Sequence, residues 1–382
     1  MKDNFVTVLD FGSGKITCMA ASKVSEKGDF IIKAVGQVSY NGFDDSVWYE
    51  PETIAGAVKD AISQVSAKMS TPIKQIVVGV PGVFSVTETS EASLTFHSKK
   101  KIDFDDTQDI IHKADIIAGG SELIPLGGKP VYYILDGAIK TTNPVGAIAN
   151  KLTGLVSFSF MRNYFYKTVS PVLSQMGIKD VKYVATCDAQ SHWIASTMGV
   201  ANTALVIDVG HITSNVMLTS GNSLLFARTF ALGSGYLASD ICSVLGCDFN
   251  FAMALLGKIN LNLEFQEGDS YTVNGRMMDA TKTNDVVSAR IEQIAEYIIK
   301  SFRYCDKEIP ATTPVILTGG GLTYLRGGAD KLSTFLGKPI VTYDSANPQT
   351  RRNEYTSCYG LLHEAVMLPK RKKSIFSIFR KN

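Results

Sequence analysis

The sequence has no long apolar run and none of the short motifs that usually mark a zinc site. No apolar run approaches the ~20 residues that a membrane-spanning helix needs. The 6 cysteines form no Cys-x-x-Cys pair and the 5 histidines form no His-Glu-x-x-His pattern, which excludes the commonest zinc signatures. A strand-like segment starts at Phe5, so we expect no signal peptide and interpret the cysteines as small buried side chains in a reducing compartment.

A large excess of one charge is also missing, although the charge is unevenly distributed. The formal net charge is +2, from 38 Lys and Arg against 36 Asp and Glu. Six of the 38 basic residues lie among the last 13 residues, which hold no acid, so the rest of the chain has 32 basic and 36 acidic residues and a net charge of −4. A body with this charge is not that of a nucleic-acid-binding protein.

The 382 residues, 45% of them hydrophobic, exceed one ordinary core and predict two or more domains. Strand-like segments alternate with amphipathic helical segments, which predicts an α/β fold. The helices that we predict most clearly are 51–69, 105–118, 163–176, 283–303 and 353–367. For helix 283–303, Asn284 or Asp285 is the expected N-cap, and Asn274-Gly275 before it predicts a hairpin turn.

An internal echo is the most informative feature of the sequence. An apolar strand near 5–9 runs into Asp10-Phe-Gly12, and a second one at 204–207 runs into Asp208-Val-Gly210. A hairpin strand follows each turn. The repetition predicts two similar halves that each present an Asp-x-Gly turn.

Two such turns, facing each other across a cleft, suit a Mg²⁺-nucleotide. Glycine lets backbone N–H groups approach phosphate oxygens, and Asp10 and Asp208 could hold Mg²⁺ through its water molecules. A glycine triplet, Gly319-Gly320-Gly321, follows a third strand and would let the backbone pass under an adenosine. The cofactors predicted from this pattern are ATP and Mg²⁺.

At these positions the chain resembles the actin/Hsp70/sugar-kinase superfamily and, within it, the FtsA family of bacterial cell-division proteins. The matching segments are the first phosphate motif at 8–15, the second at 205–210, the adenosine motif at 317–322, an Asn-Pro-Val-Gly segment at 143–146 and the closing helix at 355–362. The resemblance implies an actin-like two-lobed fold with an inserted strand-helix-strand-strand domain and a C-terminal amphipathic helix. The nucleotide-binding residues that it implies are Asp10, Gly12, Ser13, Gly14, Lys15, Asp208, Gly210, His211, Thr213, Gly233, Gly319, Gly320 and Gly321.

The domain division expected from this resemblance has five parts. Lobe 1 comprises 1–83, 163–202 and 346–368, and lobe 2 comprises 203–240 and 314–345. The inserted domain is 84–162, a second subdomain of lobe 2 is 241–313, and the membrane-targeting tail is 369–382.

The second phosphate loop departs from the family pattern. The family usually has Asp-x-Gly-Gly-Gly-Thr-Thr-Asp there, whereas this chain has Asp208-Val-Gly-His-Ile-Thr-Ser-Asn215. His211 and Ile212 therefore place side chains where backbone would meet phosphate. We expect the fold to be retained while hydrolysis, and with it tight nucleotide binding, is weakened, so that the protein is at most a weak ATPase. The alternative that His211 donates to a phosphate stays open.

The last residues carry a pattern that favours a membrane surface. In a helical conformation Ile375, Phe376, Ile378 and Phe379 share one face. This segment is too short to span a bilayer but can lie in its interface, and its Lys and Arg residues attract anionic lipid. The predicted membrane-binding residues are Lys372, Lys373, Ile375, Phe376, Ile378, Phe379 and Arg380. A disordered basic tail is the alternative.

By family analogy we expect a scaffold that is peripheral to the inner face of the cell membrane at the division septum. It would self-polymerise, bind the C-terminal peptide of the tubulin-like protein FtsZ and contact other divisome proteins. Arg290, Glu292 and Arg303 are charge candidates for the peptide site, although they also suit the solvated face of a helix. The alternatives are a type IV pilus assembly protein of the PilM kind, a divergent FtsA-like paralogue and a small-molecule kinase.

Overall fold

The computed structural model describes residues 5–25, 28–116, 122–200 and 202–368. The tail at 369–382 and its predicted membrane-binding residues therefore lie outside the described residues.

The elements of the first half follow one another as strands with intervening helices. In chain order they are β1 (Phe5–Phe11), β2 (Lys15–Lys23), β3 (Phe30–Ser39), β4 (Phe43–Asp44), β5 (Val47–Trp48), α1 (Pro51–Met69), β6 (Gln75–Val80), β7 (Ser85–Lys101), α2 (Phe104–Ala114), β8 (Leu123–Leu135), β9 (Ile139–Thr141), β10 (Ile148–Arg162), α3 (Asn163–Gln175), β11 (Asp180–Ala185) and α4 (Thr186–Thr197).

The second half begins with another three-stranded meander. Its elements are β12 (Thr203–Val209), β13 (Ser214–Ser220), β14 (Ser223–Phe230), α5 (Gly235–Leu245), α6 (Phe249–Leu256), β15 (Ser270–Val273), β16 (Arg276–Asp279), α7 (Ala280–Ser301), β17 (Val315–Thr318), α8 (Gly328–Leu336), β18 (Ile340–Thr342) and α9 (Thr356–Met367).

Two five-stranded mixed sheets form the centre of the molecule. Their strand orders are β3-β2-β1-β6-β11 and β14-β13-β12-β17-β18. In each sheet the first strand is antiparallel to the next one along the chain and parallel to a strand that returns after a helical connection. The prediction of an α/β fold with two similar halves is confirmed.

Each sheet is covered by helices with a continuous apolar stripe. In α1 the buried positions include Ile54, Val58, Ile62 and Val65, which follow the helical spacing of three and four residues. They pack with Leu9 of β1 in one core, whereas Val8 packs on the other face of the sheet with α9. A fully buried side chain of this size contributes about 1.5–3 kcal/mol, so burial on both faces fixes β1 in the middle of its sheet.

The inserted module is a separate four-stranded sheet, in the order β7-β10-β8-β9, covered by α2. Asp103 caps α2 in a reciprocal capping box with Asp106, which satisfies backbone donors that the first turn leaves unpaired. Ile110 of α2 lies over Gly154 of β10, where a methyl group would be 2.4 Å from Ile110. This arrangement is the predicted strand-helix-strand-strand module with one additional short edge strand.

An ion cluster around the buried Asp188, here called the Lys129 node, joins this module to both halves. The Lys129 Nζ of β8 lies 2.8 Å from Asp188 of α4 and 2.7 Å from Glu364 of α9. The other oxygen of Asp188 accepts hydrogen bonds from Ser223 Oγ and the Leu224 N–H of β14. Burial alone lowers the pKa of Lys129, but the two carboxylates raise it overall, so the lysine stays charged.

The structure tests the predicted cap of α7 and the predicted turn before it. The N-cap of α7 is Asp279, whose side chain accepts from the Lys282 N–H, so the prediction of Asn284 or Asp285 as the cap was wrong. Both residues lie in the second turn, because the β15–β16 hairpin runs directly into the helix. The predicted Asn274-Gly275 turn is confirmed by the Val273–Arg276 pairing around it.

Among the helices of the described residues, none is long and apolar enough on its own to cross a bilayer. The pair α5 and α6 passes on combined length and composition, with a bend of 115° between the two.

Candidate nucleotide cleft between the two sheets

A cavity of about 530 Å³ lies where the two Asp-x-Gly turns meet. Its volume is in the range of small-molecule sites. Eleven predicted nucleotide-binding residues line it: Asp10, Gly12, Ser13, Gly14, Lys15, Asp208, Gly210, His211, Thr213, Gly319 and Gly320.

The two remaining predicted residues, Gly233 and Gly321, are not among those that line the cavity but pack against the second loop. A methyl group at Gly233 would lie 2.5 Å from the His211 carbonyl oxygen, and the Gly321 N–H donates to the Val209 carbonyl over 2.9 Å. Both glycines therefore let neighbouring backbone pack closely against the second loop.

The carboxylates Asp10 and Asp208 occupy matching places, each next to the last residue of its strand, with Asp10 buried and Asp208 partly buried. Burial raises the pKa of Asp10 to about 6, opposed by a hydrogen bond from Ser357 and assisted by repulsion from Asp208. Burial also raises the pKa of Asp208. Two neighbouring carboxylates that are costly to ionise are suited to a bound cation, which would offset both charges.

Buried polar atoms without partners lie beside these carboxylates. Gln190 donates to Asp208 over 3.0 Å, yet its Oε1 has no hydrogen-bond partner among the described residues, and neither has the Thr186 hydroxyl. Both side chains are more than nine-tenths buried and line the cavity. Because unpaired buried acceptors cost free energy, these atoms fit the waters of a hydrated Mg²⁺.

No three His, Cys, Asp or Glu side chains converge in the described ranges to form a direct metal cage. Asp10 and Asp208 are thus the residues that would hold Mg²⁺ through its waters.

The first loop presents the positive charge of the cleft. Lys15 Nζ lies 5.1 Å from the centroid of the Tyr355 ring, and burial lowers its pKa. The Tyr40 hydroxyl donates to the Gly12 carbonyl over 2.8 Å. These contacts hold the loop in place, and Lys15 is one of the residues that line the cavity.

Gly319 is required where the adenosine motif crosses the second Asp. Its φ of 92° lies in the left-handed region that favours glycine, and a methyl group there would be 2.2 Å from Asp208 Oδ1. At position 319 the chain can therefore pass beside Asp208 only as glycine.

Sequence reasoning missed Gln190, Thr186 and Ser357. Ser357 Oγ donates to Asp10 Oδ2 over 2.6 Å, across 347 residues of chain. Gln190 and Thr186 lie at the start of α4, directly after β11. The one signal available was their position after a strand of the first half, which is where polar site residues collect in α/β sheets.

The predicted partner-binding residues do not form one group. Arg290 is engaged in a bidentate pair with Asp240 of α5, at 2.5 and 2.7 Å. Arg290 and the exposed Glu292 line a shallow cavity of about 490 Å³. Arg303 is exposed but lies 13 residues beyond Arg290, about 20 Å along the helical rise.

Searches with known protein families found no family model that matches this chain. Among curated proteins, it is 23% identical to FtsA of Streptococcus pneumoniae over 78% of this chain and 66% of that protein, which is just under two thirds of its length. It is 23% identical to FtsA of Enterococcus hirae over 94% of this chain and 83% of that protein. It is 20% identical to FtsA of Escherichia coli over 63% and 57%.

Solved structures agree on the fold. The type IV pilus biogenesis complex PilM–PilN matches with a TM-score of 0.64 at 14% identity, covering 95% of this chain and 99% of that chain. MreB 5 of Spiroplasma citri bound to AMPPNP matches with a TM-score of 0.54 at 11% identity, covering 94% and 95%. The chain is therefore similar in sequence to FtsA cell-division proteins, and it has the actin-like two-lobed fold.

Proposed function

We propose that the protein is a membrane-tethered, actin-like scaffold that holds FtsZ filaments at the inner face of the cytoplasmic membrane during septation. The observation that carries this proposal is similarity to FtsA over up to 94% of the chain, together with an actin-like body that contains the inserted module. Self-polymerisation and contacts with other divisome proteins belong to the same proposal.

The tail supplies the tether in this proposal. Four large apolar side chains on one face of a helix, at about 1.5–3 kcal/mol each when fully buried, would combine with about 1 kcal/mol from each basic residue near anionic lipid. Ordering a short helix consumes part of this free energy. The resulting binding is reversible and strengthens when several copies assemble side by side.

Vesicle pelleting tests the tether. Phe376→Glu with Phe379→Glu should abolish co-sedimentation with anionic vesicles, because both substitutions place charge on the apolar face. Ser374→Glu with Ser377→Glu is the matched control, since it adds the same charge to the polar face, and it should weaken binding much less because the apolar face stays intact. Equal pelleting of both variants and the unmodified protein would refute the tether.

FtsZ binding is tested separately with the body alone. A fluorescent peptide with the sequence of the FtsZ C-terminus should bind the protein, and Glu292→Lys or Arg303→Glu should weaken binding if the subdomain at 241–313 holds the site. Arg290→Ala is a poor probe, because its loss leaves Asp240 unpaired. A body that stays folded and retains no peptide contradicts the FtsZ part of the proposal.

Nucleotide occupancy of the cleft is the third part. The eleven predicted residues around the cavity, the two carboxylates and the unpartnered polar atoms beside them support binding of an adenine nucleotide with Mg²⁺. The altered second loop supports weak hydrolysis or none. Calorimetric titration with Mg²⁺-ADP tests occupancy, and absence of heat at millimolar ligand counts against it.

The PilM likeness favours one alternative, a protein that docks a membrane partner's cytoplasmic peptide in the manner of the PilM–PilN complex. The same assay distinguishes them, because a PilN-type peptide should then be retained in place of the FtsZ peptide. A small-molecule kinase is disfavoured by the second loop and would be detected as phosphate transfer to sugars.

A further inference from the structure

The His211 ring lies wedged between the first phosphate loop and the start of α5. A methyl group at Gly14 would lie 2.8 Å from His211 Cδ2, and one at Gly235 would lie 2.8 Å from His211 Cε1. Real Cβ atoms essentially never come that close, so only two glycines leave room for this ring. The imidazole thus lies between the two halves at the edge of the cleft, in contact with both loops although the residue remains partly open to solvent.

Ser13 occupies the backbone donors of the same region. Its Oγ accepts hydrogen bonds from the N–H groups of Ile212 (2.9 Å) and Thr213 (3.2 Å) in the second loop. The two N–H groups at the start of α5 are also used, since Ser234 donates to the Gly210 carbonyl and Gly235 to the His211 carbonyl. Donors that would cradle a phosphate at a helix N-terminus are therefore already paired within the protein.

The charges that line the cavity also disfavour a highly charged ligand. Among the described residues they are one cation, Lys15, and three carboxylates, Asp10, Asp208 and Glu354. Desolvation lowers the pKa of His211, which disfavours a positive charge on the ring. Each further phosphate would add repulsion that a single lysine and one Mg²⁺ offset less completely.

We propose that this cleft is selective for a nucleoside diphosphate, with the His211 ring in the place that the terminal phosphate of a triphosphate would take. The inference rests on the proposed nucleotide occupancy and specifies its ligand class. Met253, Gly320 and Glu354 also line the cavity and would face the base, while the two loops would face the phosphates. A third phosphate would have to expel the ring and separate Ser13 from the second loop.

The test compares the affinities of Mg²⁺-ADP and Mg²⁺-AMPPNP, a triphosphate that is not hydrolysed, by calorimetry. The unmodified protein should bind ADP at least about tenfold more tightly. His211→Ala should tighten AMPPNP binding about tenfold while changing ADP binding less than about threefold. His97→Ala, which removes an exposed histidine of β7, is the matched control and should behave like the unmodified protein.

Equal affinities of the unmodified protein for both nucleotides would overturn the selectivity and leave nucleotide occupancy standing. An unchanged preference in His211→Ala would overturn the role of the ring, provided that the variant melts at the same temperature. Absence of binding to both nucleotides would overturn the selectivity and the proposed occupancy together. Ser13→Ala gives a second variant, and it should also tighten AMPPNP binding by freeing the two loop amides.

Discussion

The two halves of the molecule repeat one backbone plan and differ in the chemistry of their loops. In each sheet the Asp lies one residue before the end of the first strand and pairs with the second strand, as Asp10 with Thr17 and Asp208 with Asn215. The first loop continues as Gly12-Ser-Gly-Lys15, and the second as Gly210-His-Ile-Thr213. Strand pairing therefore fixes the backbone in the same way in both halves, whereas the loop residues outside the pairing differ between them.

The two carboxylates also share one electrostatic property and differ in their hydrogen-bond partners. Asp10 is buried and Asp208 is partly buried, and desolvation raises the pKa of both carboxylates. Yet Asp10 accepts from a serine of α9, and Asp208 accepts from the Gln190 amide of α4. The two halves thus present the same charged group with different partners.

The largest expected effect tests the structural equivalence of the halves. Leu9 and Ile207 each precede the Asp of their strand and are completely buried. Leu9→Ala and Ile207→Ala should each lower the free energy of unfolding by about 2–5 kcal/mol, because each removes core contacts and leaves a cavity. Urea unfolding gives the measurement, with the exposed Thr95→Ala as the control. A loss below about 1 kcal/mol in one variant alone would break the equivalence.

A smaller effect concerns the protonation of Asp10. The pKa of Asp10 is about 6 in the folded protein, against an ordinary value of 3.8. The folded state therefore holds this proton more tightly than the unfolded state, so its contribution to stability is fully present below about pH 4 and is lost as pH rises through 6. The unfolding free energy should decline by about 2–3 kcal/mol over this window.

Asp10→Asn should remove that decline, because an amide does not titrate. The measurement is the difference in unfolding free energy between the unmodified protein and the variant at pH 4, 5, 6 and 7. Parallel curves for the two proteins would show that Asp10 ionises normally. Mg²⁺-nucleotide binding should change in the opposite direction and weaken as pH falls below 6, because the cation needs the ionised carboxylate.

The smallest expected effect concerns the contact between the two loops. Ser13→Ala removes the acceptor of the Ile212 and Thr213 N–H groups, at a cost of about 1 kcal/mol. Amide hydrogen exchange at these two positions should become about fivefold faster, with Ser98→Ala on the exposed face of β7 as the control. Unchanged exchange would mean that Ser13 does not protect these two amides.

Much of the fold could be predicted because it is encoded locally. Apolar strands that end in Asp-x-Gly at 10 and 208 predicted the two halves, and the pattern through Ile54, Val58 and Ile62 predicted α1. The start of α7 was misplaced because Val287, Ile291 and Ile294 define the buried face of the helix and carry no information on where its first turn begins.

The interior of the cleft was harder to predict, because its members come from distant segments. Ser357 reaches Asp10 only after α9 packs against β1, and no spacing in the sequence records that contact. His211 could be singled out because it departs from a glycine-rich pattern. Its position between Gly14 and Gly235 depends on how the two halves approach each other.

The Lys129 node couples the orientation of the inserted module to the relative positions of the two halves, because its members come from all three. Lys129 belongs to the module, its partner Asp188 to the first half, and the Ser223 that also bonds Asp188 to the second. A rotation that separates these bodies would leave the buried Asp188 carboxylate without its cation or without its Ser223 donor, which is costly. We therefore expect the module and the two halves to move together, so that a shift of the module would also change the width of the cleft.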